Sequence, residues 1–322
     1  MRHAMDKIAF VGIDTSNYTT SLAIANETGT VIANLKAPLP VKAGECGLRQ
    51  SDAVFAHVKN IPQLMHQARE VLAGYRVAAV GVSARPRDIE GSYMPCFLAG
   101  VAAAEAFATA ANAPLYHFSH QGGHLAAALY SAGAEHLLET DLFGAFHVSG
   151  GTTDMLCVKP LSAEFAVEQV GGSADLHAGQ AIDRIGVALG LSFPCGPALE
   201  ALANENAAPV PRPRISVRAG TCNLSGLENL ALKLYRETEN KPLCAAYTLS
   251  FLAETLAAMT AHLREQKGNI PVLFAGGVMS NRRIADMLSA RFQNVYFAEP
   301  QFSADNAAGV ALLCRRRHLN KT

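Results

Sequence analysis

Short apolar runs alternate with polar or small-residue turns through the first part of the chain. "IAFVG" at 8–12 and "SLAIA" at 21–25 are separated by the polar "DTSNYTT", and a glycine turn leads into "TVIANLKA" at 30–37. That pattern predicts three strands. Residues 52–73 predict a long helix, with Ser51 placed to cap it. "VAAVGVSA" at 77–84 predicts a strand, 94–112 a helix rich in small residues, and "APLYHFS" at 113–119 a short strand. The opening theme then returns. "FGAFHVSGGTTDMLCVKP" at 143–160 again reads strand, small-residue turn, strand. "HAGQAIDRIGVALGL" at 177–191 reads as a helix. "PVLFAG" at 271–276 is a strand that opens into a helix at 281–290. "NVYFAEP" and a last helix within 303–319 close the chain. The middle, 160–240, is less regular, and the prolines of "VPRPRISVR" at 210–218 keep its start out of any interior strand.

The repeated strand-turn-strand units with crossover helices predict an α/β protein of two lobes, residues 1–140 and 141–322. A length of 322 residues suffices for two domains, and 50% hydrophobic with 17% charged residues fits a well-buried globular chain. The sequence holds no run of eighteen purely apolar residues, so no membrane span is expected. The first residues enter a strand without a secretory pattern, which predicts a cytoplasmic protein. Seven scattered cysteines without a C-x-x-C pair read as reduced thiols. Lysine plus arginine equals aspartate plus glutamate at 27 each, so net charge exerts no bulk pull on nucleic acid. Two local basic candidates remain: "RRRHLN" at 315–320 and the arginines of "PVPRPRISVR" at 209–218. A solvated chain end and a plain loop are the simpler readings of both.

Candidate chemistry lies at the turns. His120 and His124, four residues apart, share one helical face. They are either metal ligands, which need a further ligand from elsewhere, or parts of a packed helix end. Gly122 and Gly123 would leave space beside the two imidazoles. Asp14, at a strand end beside Thr15 and Ser16, can orient a metal-bound water or a magnesium ion near phosphates. Ser149, Gly150, Gly151, Thr152 and Thr153 occupy the corresponding turn of the second lobe, where successive N–H groups and hydroxyls can cradle a phosphate. Neither turn is a Walker loop or a G-x-G-x-x-G loop. A third glycine pair, Gly276–Gly277, opens toward Asn281, which could hydrogen-bond a nucleoside. Asp183 either sits on a solvated face beside Arg184 or accepts from ribose hydroxyls. Gly196 is either a turn glycine or a backbone platform under a sugar.

In order along the chain, "GIDTS" at 12–16, "HQGGH" at 120–124, "VSGGTT" at 148–153, "AGQAIDR" at 178–184, "FPCGP" at 193–197, "AGGVMSNR" at 275–282 and the pair Asp305–Asn306 resemble the motifs of the tRNA N6-adenosine threonylcarbamoyltransferase family, formerly described as glycoproteases. The resemblance covers nearly the whole chain. It implies the two-lobed fold of actin, Hsp70 and the sugar kinases, with a duplicated ribonuclease H-like core. It implies one divalent metal ion, iron or zinc, held by His120, His124 and Asp305, with Asp14 and the two histidines as catalytic residues. The last helix, about 303–320, would then return toward the first lobe to bring Asp305 to the histidines. Ser149 to Thr153 would hold the phosphate of an adenine nucleotide or acyl-adenylate, with or without magnesium. Asp183, Gly196, Gly276, Gly277 and Asn281 would surround its nucleoside. The implied reaction moves threonylcarbamoyl from threonylcarbamoyl-AMP to N6 of adenosine 37 of tRNA, with small protein partners and a homo- or hetero-dimer as the expected company.

The departures from the family pattern cluster at the same turns. Asn17, Tyr18, Thr19 and Thr20 replace a turn with two acids. Arg85-Pro86-Arg87 replaces Gly-Pro-Gly and would put two charges on a mobile turn. Thr152 replaces a histidine, and Gln180 a glutamate. Two alternatives therefore stand beside the main reading: a paralogous carbamoyl or acyl transferase, or nucleotide-dependent enzyme, with a different acceptor; and a non-catalytic nucleotide-binding partner. A peptidase is excluded, because His-x-x-x-His without the zincin glutamate is not a peptidase site.

Overall fold

The computed structural model describes residues 7–16, 18–40, 48–303 and 307–320. The chain divides into two compact units. Unit 1 comprises 1–130, 160–166 and 304–322; unit 2 comprises 131–159 and 167–303.

Unit 1 begins with three antiparallel strands, β1 (Lys7–Thr15), β2 (Thr19–Asn26) and β3 (Val31–Pro38). Helix α1 (Gln50–Leu72) crosses to β4 (Tyr75–Arg85), and α2 (Phe97–Ala110) crosses to β5 (Leu115–Ser119). Both crossovers return to parallel neighbours, so the five-stranded sheet has the order β3-β2-β1-β4-β5. Helix α3 (His120–Ser131) starts where β5 ends. Arg49 stands at the cap position of α1 without a side-chain hydrogen bond, and Ser51 lies inside the helix rather than capping it.

Unit 2 repeats the theme. β6 (Phe143–Val148) and β7 (Thr153–Pro160) are antiparallel, and β8 (Phe165–Ser173) follows. Helices α4 (Ala178–Ala188) and α5 (Gly196–Asn204), a two-residue pair β9 (Val217–Arg218) and β10 (Thr221–Cys222), and helices α6 (Ser225–Thr238) and α7 (Lys241–Lys267) intervene. Then come β11 (Val272–Ala275), α8 (Arg282–Ser289), β12 (Val295–Phe297) and the short α9 (Pro300–Ser303). The seven-stranded sheet runs β12-β11-β6-β7-β8-β10-β9. Helix α6 is not foreshadowed by the reading of 160–240 as less regular, and the sequence reading assigns no element to the stretch that forms α7. α7 is apolar on every side because it is buried on every side, from Leu243 and Tyr247 through Phe251 and Met259 to Leu263. It is the one helix among the described residues long and apolar enough to cross a membrane, and 83% of that stretch is buried.

The chain finally returns to unit 1 as α10 (Ala308–Leu319), which lies against β1 and β4. Glycines allow the close contact. A Cβ on Gly12 would stand 2.5 Å from the Ala311 nitrogen, and one on Gly309 would stand 1.8 Å from the Gly123 carbonyl. Gly123 thus serves helix packing, against Val310 and Gly309, rather than opening space beside a ligand. Gly122 likewise faces Ser119 Oγ. The basic end of α10 is consumed internally: Arg315 Nε donates to the Glu27 carbonyl and Arg316 Nε to the Ser162 carbonyl, both at 2.7 Å, while Arg317 pairs with Glu164 at 2.9 Å. It is not a free basic patch. The six described cysteines are free and buried; Cys46 lies outside the described residues.

Candidate functional site

The strand end that leads into the β1–β2 turn is held by side chains from neighbouring elements. Parallel pairing sets Ile13 beside Val82, so the next residues, Asp14 and Ser83, meet at the strand ends. Asp14 is fully buried. Its Oδ1 accepts from the Ser16 N–H at 3.0 Å, and its Oδ2 accepts from Ser83 Oγ and lies 2.8 Å from His120 Nδ1. A buried carboxylate needs such donors, since its desolvation would otherwise cost several kcal/mol, roughly. A carboxylate on Nδ1 fixes the proton there and turns Nε2 outward as the unprotonated ring nitrogen. His120 Nε2 then meets His124 Nε2 at 2.9 Å, with the two rings edge to face. Phe97 leans on His120, centroids 5.9 Å apart.

This set fits a metal ion on chemical grounds. Two imidazole nitrogens converge, and one ring is oriented by a carboxylate behind it, as metal-binding histidines are. Asp14 touches the far ring nitrogen of His120, Nδ1, and not the Nε2 that meets His124. Among the described residues, no group of three or more His, Cys, Asp or Glu side chains is arranged to hold a metal. Asp305, which the resemblance implies as the third ligand, lies outside the described residues, as does Asn17.

Neighbouring groups brace the array. Ser119 Oγ accepts from the Gly122 N–H at 3.0 Å and donates to Asp88 Oδ2; Asp88 Oδ1 takes Arg85 Nε at 3.0 Å. The Pro86 carbonyl accepts from the Gln121 N–H at 3.0 Å. The Arg85-Pro86-Arg87 turn is therefore pinned to the start of α3, and one of its two charges is paired, contrary to a mobile doubly charged loop. Behind the turn, His57 of α1 is fully buried with Nδ1 2.8 Å from Thr20 Oγ1. Burial pushes its pKa down, opposed in part by the Ser16 backbone and the Asp14 charge. Ser83, Asp88, Ser119 and His57 were not singled out from sequence. Ser83 and Ser119 left a signal, as polar residues at or near the ends of apolar strands.

The matching turn of unit 2, Ser149 to Thr153, is open. It closes through Ser149 N–H to the Thr152 carbonyl at 2.8 Å, and the Gly151 N–H reaches Ser149 Oγ at 3.3 Å. A Cβ on Gly150 or Gly151 would meet nothing within 4 Å. On its other side the turn is fastened to the start of α4. Ala178 N–H donates to Thr153 Oγ1 at 2.9 Å and Gly179 N–H to the Ser149 carbonyl at 3.1 Å. Gln180 closes that helix start by accepting the His177 N–H at 3.2 Å. Gly276 is also drawn in: its φ is +100°, and a Cβ there would stand 2.3 Å from the Val148 carbonyl. Only glycine suits that junction.

Asp183 is not on a fully solvated face. It is half-buried, and its Oδ1 accepts the Cys195 N–H at 2.8 Å, tying α4 to the start of α5 beside Gly196. Asn281 caps α8 by accepting the Ile284 N–H at 3.1 Å, and is 7% exposed. Glu200 of α5 accepts the Arg282 N–H at 2.7 Å. Gly196 and Gly277 have open space where a side chain would be. The turn, α4, α5 and the start of α8 thus form a continuous set of contacts. Nearby, Asp175 takes hydrogen bonds from Leu176, Leu224 and Ser225. Burial opposes its ionisation, but these donors outweigh that and hold its pKa at about 2.

Two sheets with equivalent strand orders, each carrying its key turn between its first two strands, define a two-lobed α/β protein of the actin, Hsp70 and sugar-kinase class. Solved structures agree: HypF of T. kodakarensis matches 98% of this chain and 48% of its own at a TM-score of 0.61 and 14% identity. Within that class, residues 41–312 match the family model described as "TsaD: tRNA N6-adenosine threonylcarbamoyltransferase", and the chain belongs to this family. Relatives of that name include one from Thermus thermophilus, 30% identical over 98% of this chain and 93% of its own, and one from Methanopyrus kandleri, 27% identical over 94% and 85%. Membership makes the chain a transferase of the tRNA-modifying type at the level of the family, with a metal ion and an adenine nucleotide as the family's cofactors.

Proposed function

We propose that this protein transfers a threonylcarbamoyl group from threonylcarbamoyl-AMP to N6 of adenosine 37 in tRNA. The observation that carries the reading is the Asp14–His120–His124 array, assembled from β1 and α3 across 106 residues of sequence. His120 and His124, with Asp305, hold one divalent ion, iron or zinc. When bound, that ion supplies Lewis acidity toward a carbonyl or phosphate oxygen. Asp14 keeps His120 in one tautomer and one orientation, and Ser83 and the Ser16 N–H keep Asp14 ionised and fixed. The open turn, Ser149 to Thr153, receives the adenylate phosphate on backbone N–H groups, which stabilise the charge that grows on the leaving AMP. The second oxygen of Asp183 accepts from a ribose hydroxyl, the Asn281 amide donates to the nucleoside, and the backbone at Gly196, Gly276 and Gly277 lets it approach. The N6 nitrogen then attacks the carbamoyl carbon, AMP departs, and N6 loses a proton. The protein works in the cytoplasm with small protein partners.

A second reading keeps donor and metal but changes the acceptor. It is favoured by Thr152, Gln180 and the pinned Arg85–Asp88 pair, all at positions where the family pattern differs. Mass spectrometry of tRNA from a strain lacking this chain separates the two. Loss of threonylcarbamoyladenosine, restored by the wild type but not by His120→Ala, is the expected result. Unchanged tRNA would leave the second reading, or that of a non-catalytic partner.

A further inference from the structure

Residues 206–224 of unit 2 contain three arginines and no aspartate or glutamate, in a chain whose charges balance overall. From Asn206 to Ser216 the segment has no helix or strand, yet its burial alternates. Pro213, Ile215 and Val217 are half-buried, while Arg212, Arg214, Ser216 and Arg218 are exposed. Val210, Ile215 and Val217 pack on the unit 2 core. The backbone is fixed at several points. The Asn223 N–H donates to the Ser216 carbonyl at 3.1 Å. Asn206 bonds both the Ala208 N–H and the Ala208 carbonyl, at 3.2 and 2.7 Å. Pro209, Pro211 and Pro213 restrict φ and hold the chain extended before any partner arrives.

The three guanidinium groups make no hydrogen bond or ion pair among the described residues. That sets them apart from the run at 315–317, whose arginines are all occupied within unit 1. An extended chain spaces residues i and i+2 roughly 6–7 Å apart and i and i+4 roughly 13 Å apart. Arg212, Arg214 and Arg218 therefore stand in one row, at one and two such steps. That step is comparable with the distance between successive phosphates of a nucleic-acid strand.

We propose that this proline-locked arginine ribbon is a docking surface for the phosphodiester backbone of RNA. Guanidinium groups recognise phosphate oxygens in paired geometry, and a row already extended loses little entropy on binding. An anionic membrane is the poorer occupant, because the large apolar side chains of the segment face the core and leave nothing to insert. The inference rests on the tRNA reading above and names the surface that reading needs in a protein of zero net charge.

The test measures binding of an unmodified tRNA transcript to the metal-loaded full chain and to R212A/R214A/R218A, from roughly 50 to 200 mM salt. The guanidinium groups make no hydrogen bond or ion pair among the described residues, so the variant is expected to keep the wild-type melting temperature and its affinity for an acyl-adenylate analogue. Its tRNA affinity should fall about 10- to 100-fold at the lower salt, and the slope of log K against log salt should become shallower by roughly 2 to 3. Wild-type affinity and slope in the variant, with tRNA still modified, would overturn the ribbon and leave the proposed function standing. A wild type that neither binds nor modifies tRNA would remove both. Binding of phosphatidylglycerol-containing vesicles that the substitutions abolish, with tRNA binding intact, would overturn the ribbon in favour of a membrane surface.

Discussion

The two units share a strand order, β3-β2-β1-β4-β5 in one and β8-β7-β6-β11-β12 in the other, and differ at the turn between their first two strands. In unit 1 that turn is closed. Asp14 is fully buried and bonded to Ser16, Ser83 and His120, and Thr15 Oγ1 donates to the Cys96 carbonyl at 3.0 Å. In unit 2 the turn is fastened only from behind, by α4, and Gly150 and Gly151 face open space. One backbone plan thus gives two different turns. The buried carboxylate and the imidazole it touches are held rigidly by surrounding donors, whereas the bare backbone of the other turn is what the phosphate cradle proposed above requires.

The largest effect should come from the closed turn. His120→Ala is expected to abolish metal retention and to reduce tRNA modification by at least about a thousandfold. Elemental analysis after reconstitution, run beside a modification assay, checks this; wild-type metal content in the variant would remove His120 as a ligand. Asp14→Asn should come next. It keeps the shape but offers an amide to Nδ1, so metal affinity or activity should fall about 10- to 100-fold. It should also destabilise the unit by roughly 1–3 kcal/mol, through donors left unpaired. A denaturation midpoint equal to wild type would mean that the network is not strained by losing its charge.

Gly150→Ala sharpens the contrast from the open side. With nothing within 4 Å of the new methyl, stability should change by less than about 0.5 kcal/mol. Affinity for an acyl-adenylate analogue, by calorimetry, should weaken about tenfold as the methyl enters the approach path. If the protein unfolds instead, the turn is not open in solution. The smallest effect concerns pH. Burial lowers the pKa of His57 in the folded state, so between that value and the unfolded value of about 6.5 only the unfolded chain takes up the proton. Stability should be full above about pH 6.5 and decline as pH falls below it. His57→Gln should flatten that part of the profile. The pKa of about 2 for Asp175 predicts a further loss only at strongly acid pH, as the medium falls from the usual carboxylate range through that value.

What the sequence determined by itself was the repeated unit. Apolar runs bounded by Asp-Thr-Ser, Ser-Gly-Gly-Thr-Thr and Gly-Gly mark strand ends, because chain reversal and backbone exposure need those residue types in those places. It also placed His120 and His124 on one face, since helical spacing is local. It could not show α7, whose apolar positions follow no period because neighbours surround it. Nor could it rank the two basic segments. The run at 315–317 lost its freedom to Glu27, Ser162 and Glu164, residues remote in sequence, while the arginines at 212–218 kept theirs because prolines and the core hold their backbone with the charges outward. Only the tertiary structure decided that Asp14 stands behind His120 rather than beside it. That relation follows from β4 lying between β1 and β5, an order set by which strands bury each other's faces and not by any motif along the chain.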